Sequence, residues 1–213
     1  MRFKENDRAL ILAPHCDDGE LGLGGTISKL VSGKVDVVYV AFSLAEKSIP
    51  KGLPPDTTRK EVYKATDCLG IPAKNVILYD FEVRIFTDFR QKILDSMIEL
   101  QKKINPKVVF IPSLSDKHQD HQVIAIEAIR AFKGANIFSY DLPWNSQKFT
   151  PNLFISISKI DLDRKKKSIS CYESQKNKIY MNDDFVESLA IVRGAQSNYR
   201  YAEAFEIVKC NID

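Results

Sequence analysis

The segments His15-Cys16-Asp17-Asp18 and His118-Gln119-Asp120-His121 hold all three histidines of the chain. Neutral imidazole is the commonest metal ligand and the main proton carrier near neutral pH. Interleaved with Asp17, Asp18 and Asp120, these imidazoles predict a metal-dependent active site. A catalytic zinc site uses three protein ligands and keeps a fourth position open. His15 and Asp18 are close enough in sequence to face one cation from a tight turn, and His121 can bring the third ligand from the other segment. Asp17 is then free to act as general base toward water. His118 is expected to act as an acid or oxyanion partner, with Asp120 holding its imidazole in one tautomer.

Each segment follows an apolar run, Ala9 to Ala13 and Val108 to Pro112. Runs of this length read as buried strands, so both segments lie at strand carboxyl ends. Arg8 to Ala13, Val35 to Phe42, Val76 to Leu78 and Lys107 to Ile111 are predicted strands, with Ile137 to Tyr140, Leu153 to Ile157 and Phe205 to Lys209 as further candidates. Helical patterns lie between them at Gly24 to Val31, Thr58 to Leu69, Phe89 to Ile104, Gln122 to Phe132, Asp161 to Tyr172 and Asp183 to Arg193. Ser43 to Thr57, with its prolines, is expected to be a long binding loop. The alternation predicts an α/β, Rossmann-like three-layer sandwich with a largely parallel sheet, in which ligands bind beyond the strand carboxyl ends.

At 213 residues, 44% hydrophobic and 28% charged, the chain is expected to form one domain with a substantial core. Its net charge of +3 is spread out and makes no case for nucleic acid. Arg164-Lys165-Lys166-Lys167 reads as a solvated helix face. Charges at Arg2, Lys4, Glu5, Asp7 and Arg8 argue against a signal peptide. No segment approaches the roughly 18–20 apolar residues of a membrane span. The four scattered cysteines form no Cys-x-x-Cys pair, and reduced thiols in the cytoplasm are expected.

His15-Cys16-Asp17-Asp18-Gly19-Glu20 with Gly24-Gly25 resembles the His-Pro-Asp-Asp-x-Glu signature of the PIG-L/LmbE-like N-acetylglucosaminyl deacetylases. His118-Gln119-Asp120-His121 is similar to that family's His-Pro-Asp-His segment. Arg59-Lys60-Glu61 to Leu69-Gly70-Ile71, Pro106 to Pro112, Ser174-Gln175 and Ala202-Glu203-Ala204-Phe205 extend the resemblance over most of the chain. The resemblance implies a single divalent ion, usually zinc, held by His15, Asp18 and His121, with Fe2+ also compatible with such donors. It further implies Asp17 as base, His118 as acid or oxyanion stabiliser and Asp120 as its orienting partner. The implied activity is removal of acetyl from an N-acetylated amino sugar or a related glycoconjugate. Cys16 and Gln119 replace the two prolines at spacer positions, so the ligand set is intact.

Arg84 and Asp80, after the third predicted strand, and Glu46, in the loop after the second, are expected to contact substrate hydroxyls or phosphate. Gly22, Gly24 and Gly25 do not spell Gly-x-Gly-x-x-Gly, and adjacent carboxylates would repel a pyrophosphate. Two other readings compete. A non-haem iron oxygenase also uses a His-x-Asp…His triad, but on β-rich barrels. A non-catalytic sugar- or nucleotide-binding module would need neither a base nor three ligands. Neither the substrate's identity nor the oligomeric state is encoded in these motifs.

Overall fold

The computed structural model describes residues 3–146 and 148–211. Strands β1 (Arg8–His15), β2 (Asp36–Ser43), β3 (Val76–Leu78), β4 (Val108–Pro112) and β5 (Asn136–Tyr140) alternate with helices α1 (Asp18–Ser32), α2 (Thr57–Cys68), α3 (Arg90–Ile104) and α4 (Gln119–Ala131). Strand β6 (Leu153–Ser156), helices α5 (Lys159–Ile169) and α6 (Asp183–Ser197) and strand β7 (Ala202–Lys209) complete the order. The sheet runs β3-β2-β1-β4-β5-β7-β6. Its first five strands are parallel, while β7 pairs antiparallel with both β5 and β6.

Side-chain alternation divides the central strands between two cores. Ala9, Ile11 and Ala13 of β1 pack with Val37, Tyr39 and Ala41 of β2 beneath α1, α2, α5 and α6. Leu10 and Leu12 pack with Val38, Val40 and Phe42 against α3 and α4. The strands are apolar on both faces because helices cover both. This layering is the expected sandwich, and it is not the β-rich barrel on which the oxygenase reading depends.

Three local differences from the sequence reading bear on function. Helix α1 begins at Asp18, six residues before the predicted Gly24, and α4 begins at Gln119, three before Gln122. The chemically active segments thus supply helix caps and first turns instead of loops. The non-helical backbone of Leu23 breaks α1, so the predicted start marks the part beyond the kink. The third difference is at Lys165, which is buried, not solvated. Its ammonium lies 2.6 Å from Glu203, and Glu203 accepts the Gly25 and Thr26 amides at 3.0 and 2.6 Å. The kink frees these amides, and a buried carboxylate that caps them requires a counter-charge. A Cβ on Gly24 would sit 2.9 Å from Lys165 Cγ, so the glycine is what admits the lysine stem.

Candidate metal centre and active-site cleft

Strands β1 and β4 are neighbours, but α1 leaves β1 toward one face of the sheet and α4 leaves β4 toward the other. The divergence opens a crevice at their carboxyl ends, the topological switch point of an open sheet. His15 ends β1, and His118 caps the helix that follows β4. Two segments about a hundred positions apart therefore meet there.

Three donor atoms converge. His15 Nδ1 lies 3.2 Å from Asp18 Oδ2 and 3.2 Å from His121 Nε2, and His121 Nε2 lies 3.3 Å from Asp18 Oδ2. Ligands about 2.0–2.1 Å from a tetrahedral ion stand roughly 3.3–3.4 Å apart, so this nearly equilateral triangle fits one small divalent cation. Nitrogen and carboxylate donors with outward protons anchored elsewhere suit such an ion. His15 Nε2 meets Asp120 Oδ2 at 3.0 Å, and His121 Nδ1 meets Asp116 Oδ2 at 2.7 Å. With a cation in the triangle, each carboxylate would hold a ring proton on the far nitrogen and leave the near lone pair facing inward.

His118 completes a group of three imidazoles whose nitrogens all lie within 4.8 Å, a second set that could hold a metal. Its hydrogen bonding separates the two possibilities. His118 Nδ1 accepts the Asp120 backbone N–H at 3.2 Å, which places the ring proton on Nε2. A nitrogen carrying a proton offers no lone pair, so His118 presents a donor where Asp18 presents an acceptor. Asp120, expected to orient His118, is placed to do so through its backbone amide. The Asp120 carboxylate is 3.9 Å from His118 Nδ1 and serves His15 instead, while also accepting the Arg84 and Phe86 amides at 2.6 and 3.3 Å. As the second residue of α4, Asp120 turns its carboxylate toward His15 at the end of β1.

The electrostatics follow from burial and close charges. Burial opposes a charge on His121, but the Asp18 charge and the Asp116 hydrogen bond outweigh it and raise its pKa to about 10. Imidazole beside two carboxylates favours a cation, whether proton or metal. Asp18 is held well below the usual carboxylate range, its burial outweighed by His121 and His15. Asp17 behaves differently. Burial and then the Asp18 charge raise it to about 6, outweighing the Lys178 and His15 charges and a backbone hydrogen bond. Burial, reinforced by the His121 and His15 charges, lowers the His118 pKa and keeps the ring neutral.

The turn beneath these groups is fixed from below. The Cys16 carbonyl accepts the hydroxyls of Tyr39 and Tyr172 at 2.9 and 2.6 Å, and both phenols also contact the fully buried Glu20. Glu20 thus has an internal hydrogen-bonding role. Burial pushes its pKa up to about 8. Burial and then the Asp17 charge push the Cys16 thiol well above its ordinary value, so this residue packs as a small apolar side chain.

The profile of the family described as PIG-L, GlcNAc-PI de-N-acetylase, matches residues 10–132, which contain both histidine segments. The chain belongs to the PIG-L family. Diacetylchitobiose deacetylase of Thermococcus kodakarensis is 25% identical over 97% of this chain and 85% of its own length. Among solved structures, the N,N'-diacetylchitobiose deacetylase of Pyrococcus horikoshii superposes with a TM-score of 0.76 at 22% identity, over 95% of this chain and 84% of that one. GalB, a 4-carboxy-2-hydroxymuconate hydratase from Pseudomonas putida, superposes with a TM-score of 0.80 at 19% identity, over 97% and 98%. The fold therefore carries hydration as well as amide hydrolysis, and the fold alone does not choose between them.

In this PIG-L member a cleft of about 470 Å³ opens over the donor triangle. Asp17, Arg84 and His118 line it. Arg84 is exposed and adopts a positive φ of 74°, held by its N–H on Asp120 and its carbonyl on Gln119. Glu46 and Asp80 are exposed and do not line the cleft. Ala45, at φ 50°, starts the one-turn 3₁₀ helix Glu46–Ser48, which turns Ala45 and Ser48 inward and Glu46 outward. Tyr79 and Phe81 pack against Phe42, so Asp80 between them points to solvent. Of the far wall, the family resemblance marked only Ser174-Gln175. The wall comprises Trp144, stacked on Tyr180 with ring centroids 3.8 Å apart, together with Asn145, Gln175, Asn177 and Lys178. Asp116 was also missed. It is 1% exposed and lies outside the quoted motif, five residues before the imidazole it orients.

Proposed function

We propose that this chain is a zinc-dependent deacetylase that hydrolyses the acetamide of an N-acetylated amino sugar or a related N-acyl substrate. The triangle of His15 Nδ1, Asp18 Oδ2 and His121 Nε2 carries this reading. Two imidazoles and one carboxylate form an open three-ligand set for zinc, and Fe2+ would also accept it. When bound, the ion supplies Lewis acidity toward the acyl carbonyl and toward water.

The protein's own groups do the rest. Asp17, which lines the cleft and is raised to about 6, takes the proton from the attacking water and can return it to the departing amine. His118, with its proton on Nε2, donates to the oxygen on which charge develops. This differs from an imidazolium acid, because the neutral tautomer is built in by the Asp120 amide. Asp116 and Asp120 hold the two ligand imidazoles. The cleft is within the usual size of a small-ligand site, with the Trp144–Tyr180 stack as an apolar wall and Asn145, Gln175, Asn177 and Lys178 as polar partners for hydroxyls. The relative named for diacetylchitobiose deacetylation supports an acetylated amino sugar as the substrate class.

The test is incubation of zinc-loaded protein with N-acetylglucosamine, N,N'-diacetylchitobiose and N-acetylglucosaminyl conjugates, with free amine and acetate both measured. Stoichiometric release of the two is expected. Absence of release across the panel, with zinc shown to be bound, would refute the deacetylase reading. Among the described residues no helix is long and apolar enough to cross a membrane, so the panel starts with water-soluble substrates.

A further inference from the structure

Away from the metal centre, Cys68 at the end of α2 and Cys171, just after α5, place their Sγ atoms 3.8 Å apart although 103 positions separate them in the chain. We propose that these two thiols form an oxidisable pair, a disulfide site that staples α2 to the segment walling the cleft. Three features of the neighbourhood carry this.

First, the backbone on both sides is anchored, so the thiols meet by construction. Glu61 of α2 accepts the Ser174 amide at 2.9 Å and the Ser174 hydroxyl at 2.6 Å. Tyr172, next to Cys171, is buried and holds the Cys16 carbonyl. Second, little movement is needed. A disulfide requires about 2.05 Å between sulfurs. Cys68 closes a helix and Cys171 sits in a turn, positions where side-chain rotation and a small backbone adjustment are cheap. The Cys171 thiol is held only by a 3.4 Å contact to the Lys167 carbonyl. Third, both cysteines are partly exposed, so an oxidant can reach them. The other two cysteines differ: Cys16 is buried and Cys210 is exposed, and among the described residues neither has a thiol neighbour.

The chemistry balances with a peroxide as oxidant. The Cys68 thiol gives up its proton, its sulfur attacks one peroxide oxygen, the O–O bond breaks, the departing hydroxide takes up that proton as water, and a sulfenic acid remains. The Cys171 sulfur then attacks the Cys68 sulfur, the S–O bond breaks, and the Cys171 proton leaves with the hydroxide as a second water. Each sulfur is oxidised by one electron and the peroxide is reduced by two. Burial and the adjacent Cys68 push the Cys171 thiol up to about 11, so it must give up its proton as it attacks and a rise in pH favours this step.

The experiment treats the full-length protein with hydrogen peroxide, alkylates the remaining thiols and maps peptides without reductant. The expected product is a peptide joining Cys68 to Cys171, two hydrogens lighter than its parts. The expected physical effect is a rise in Tm of about 5–15 °C, since the bridge closes a loop of about a hundred residues in the unfolded chain. Dithiothreitol should reverse both changes, and Cys68→Ser or Cys171→Ser should abolish both. Recovery of Cys68 and Cys171 on separate alkylated or over-oxidised peptides would overturn the proposal. A linked peptide with an unchanged or lowered Tm would overturn the staple.

Discussion

Asp116→Asn offers the sharpest examination of the metal centre, because the substitution keeps shape and removes only a choice. The two carboxylate oxygens of Asp116 each accept from a different donor. Oδ2 takes the ring proton of His121 Nδ1 at 2.7 Å, and Oδ1 takes the His118 backbone N–H at 2.8 Å. An amide has one oxygen and one NH₂, so it can satisfy only one of these. If the oxygen stays on the His118 amide, the NH₂ faces His121 Nδ1 and the ring proton must move to Nε2. That nitrogen then loses the lone pair it directs into the donor triangle. If the oxygen turns to His121, the part-buried His118 amide meets another donor, and the cap of α4 that carries His118 is disturbed. Asp116 is 1% exposed, so solvent cannot relieve either arrangement. Loss of such an orienting partner costs about 10- to 100-fold in metal affinity, or about 1.4–2.7 kcal/mol. The assay is competition for Zn2+ against a chromophoric chelator, with circular dichroism to confirm folding and kcat measured at saturating metal. Zinc affinity within twofold of wild type would refute the claim that this carboxylate fixes the His121 tautomer.

Other substitutions separate the roles of neighbouring groups. Asp17→Asn should keep zinc affinity near wild type while lowering kcat by about 10²–10⁴, as expected for a lost general base; equal loss of metal and activity would instead make Asp17 a ligand. His118→Ala should lower kcat by about 10²–10³ with a much smaller change in zinc binding, whereas metal loss would favour the three-imidazole set. Chelation should abolish turnover and lower Tm, with zinc restoring both, because binding to the folded state alone adds stability; full activity in the metal-free protein would exclude the mechanism. Gly22→Ala should destabilise the fold by about 1–3 kcal/mol in urea unfolding. Its Cβ would sit 2.3 Å from Tyr140 Cδ2, and that ring is fully buried and tied to the Leu12 carbonyl.

Much of this was readable from residue order. The apolar runs Ala9 to Ala13 and Val108 to Pro112 are apolar at every position because the strands are covered on both faces, and that pattern survives in sequence. Strand-helix alternation placed both histidine segments at the carboxyl ends of strands, and residue type and spacing singled out His15, Asp18 and His121 as candidate ligands. Burial, pairing and direction were not readable. Asp120, two positions from His118, reaches that ring through its amide, while its carboxylate bonds His15, 105 positions away, which no local spacing shows. Lys165 looked solvated within a basic run, yet a glycine on α1 and a carboxylate on β7 make room for it inside. Glu46 and Asp80 have suitable chemistry but face outward, while Trp144 and Lys178 line the cleft and the buried Asp116 orients His121 without any spacing that marks them. Local sequence determines which groups can bind a metal or carry a proton, since that depends on residue type and short-range backbone form. Only the folded chain decides which lone pair faces which proton, because that depends on contacts between segments a hundred residues apart.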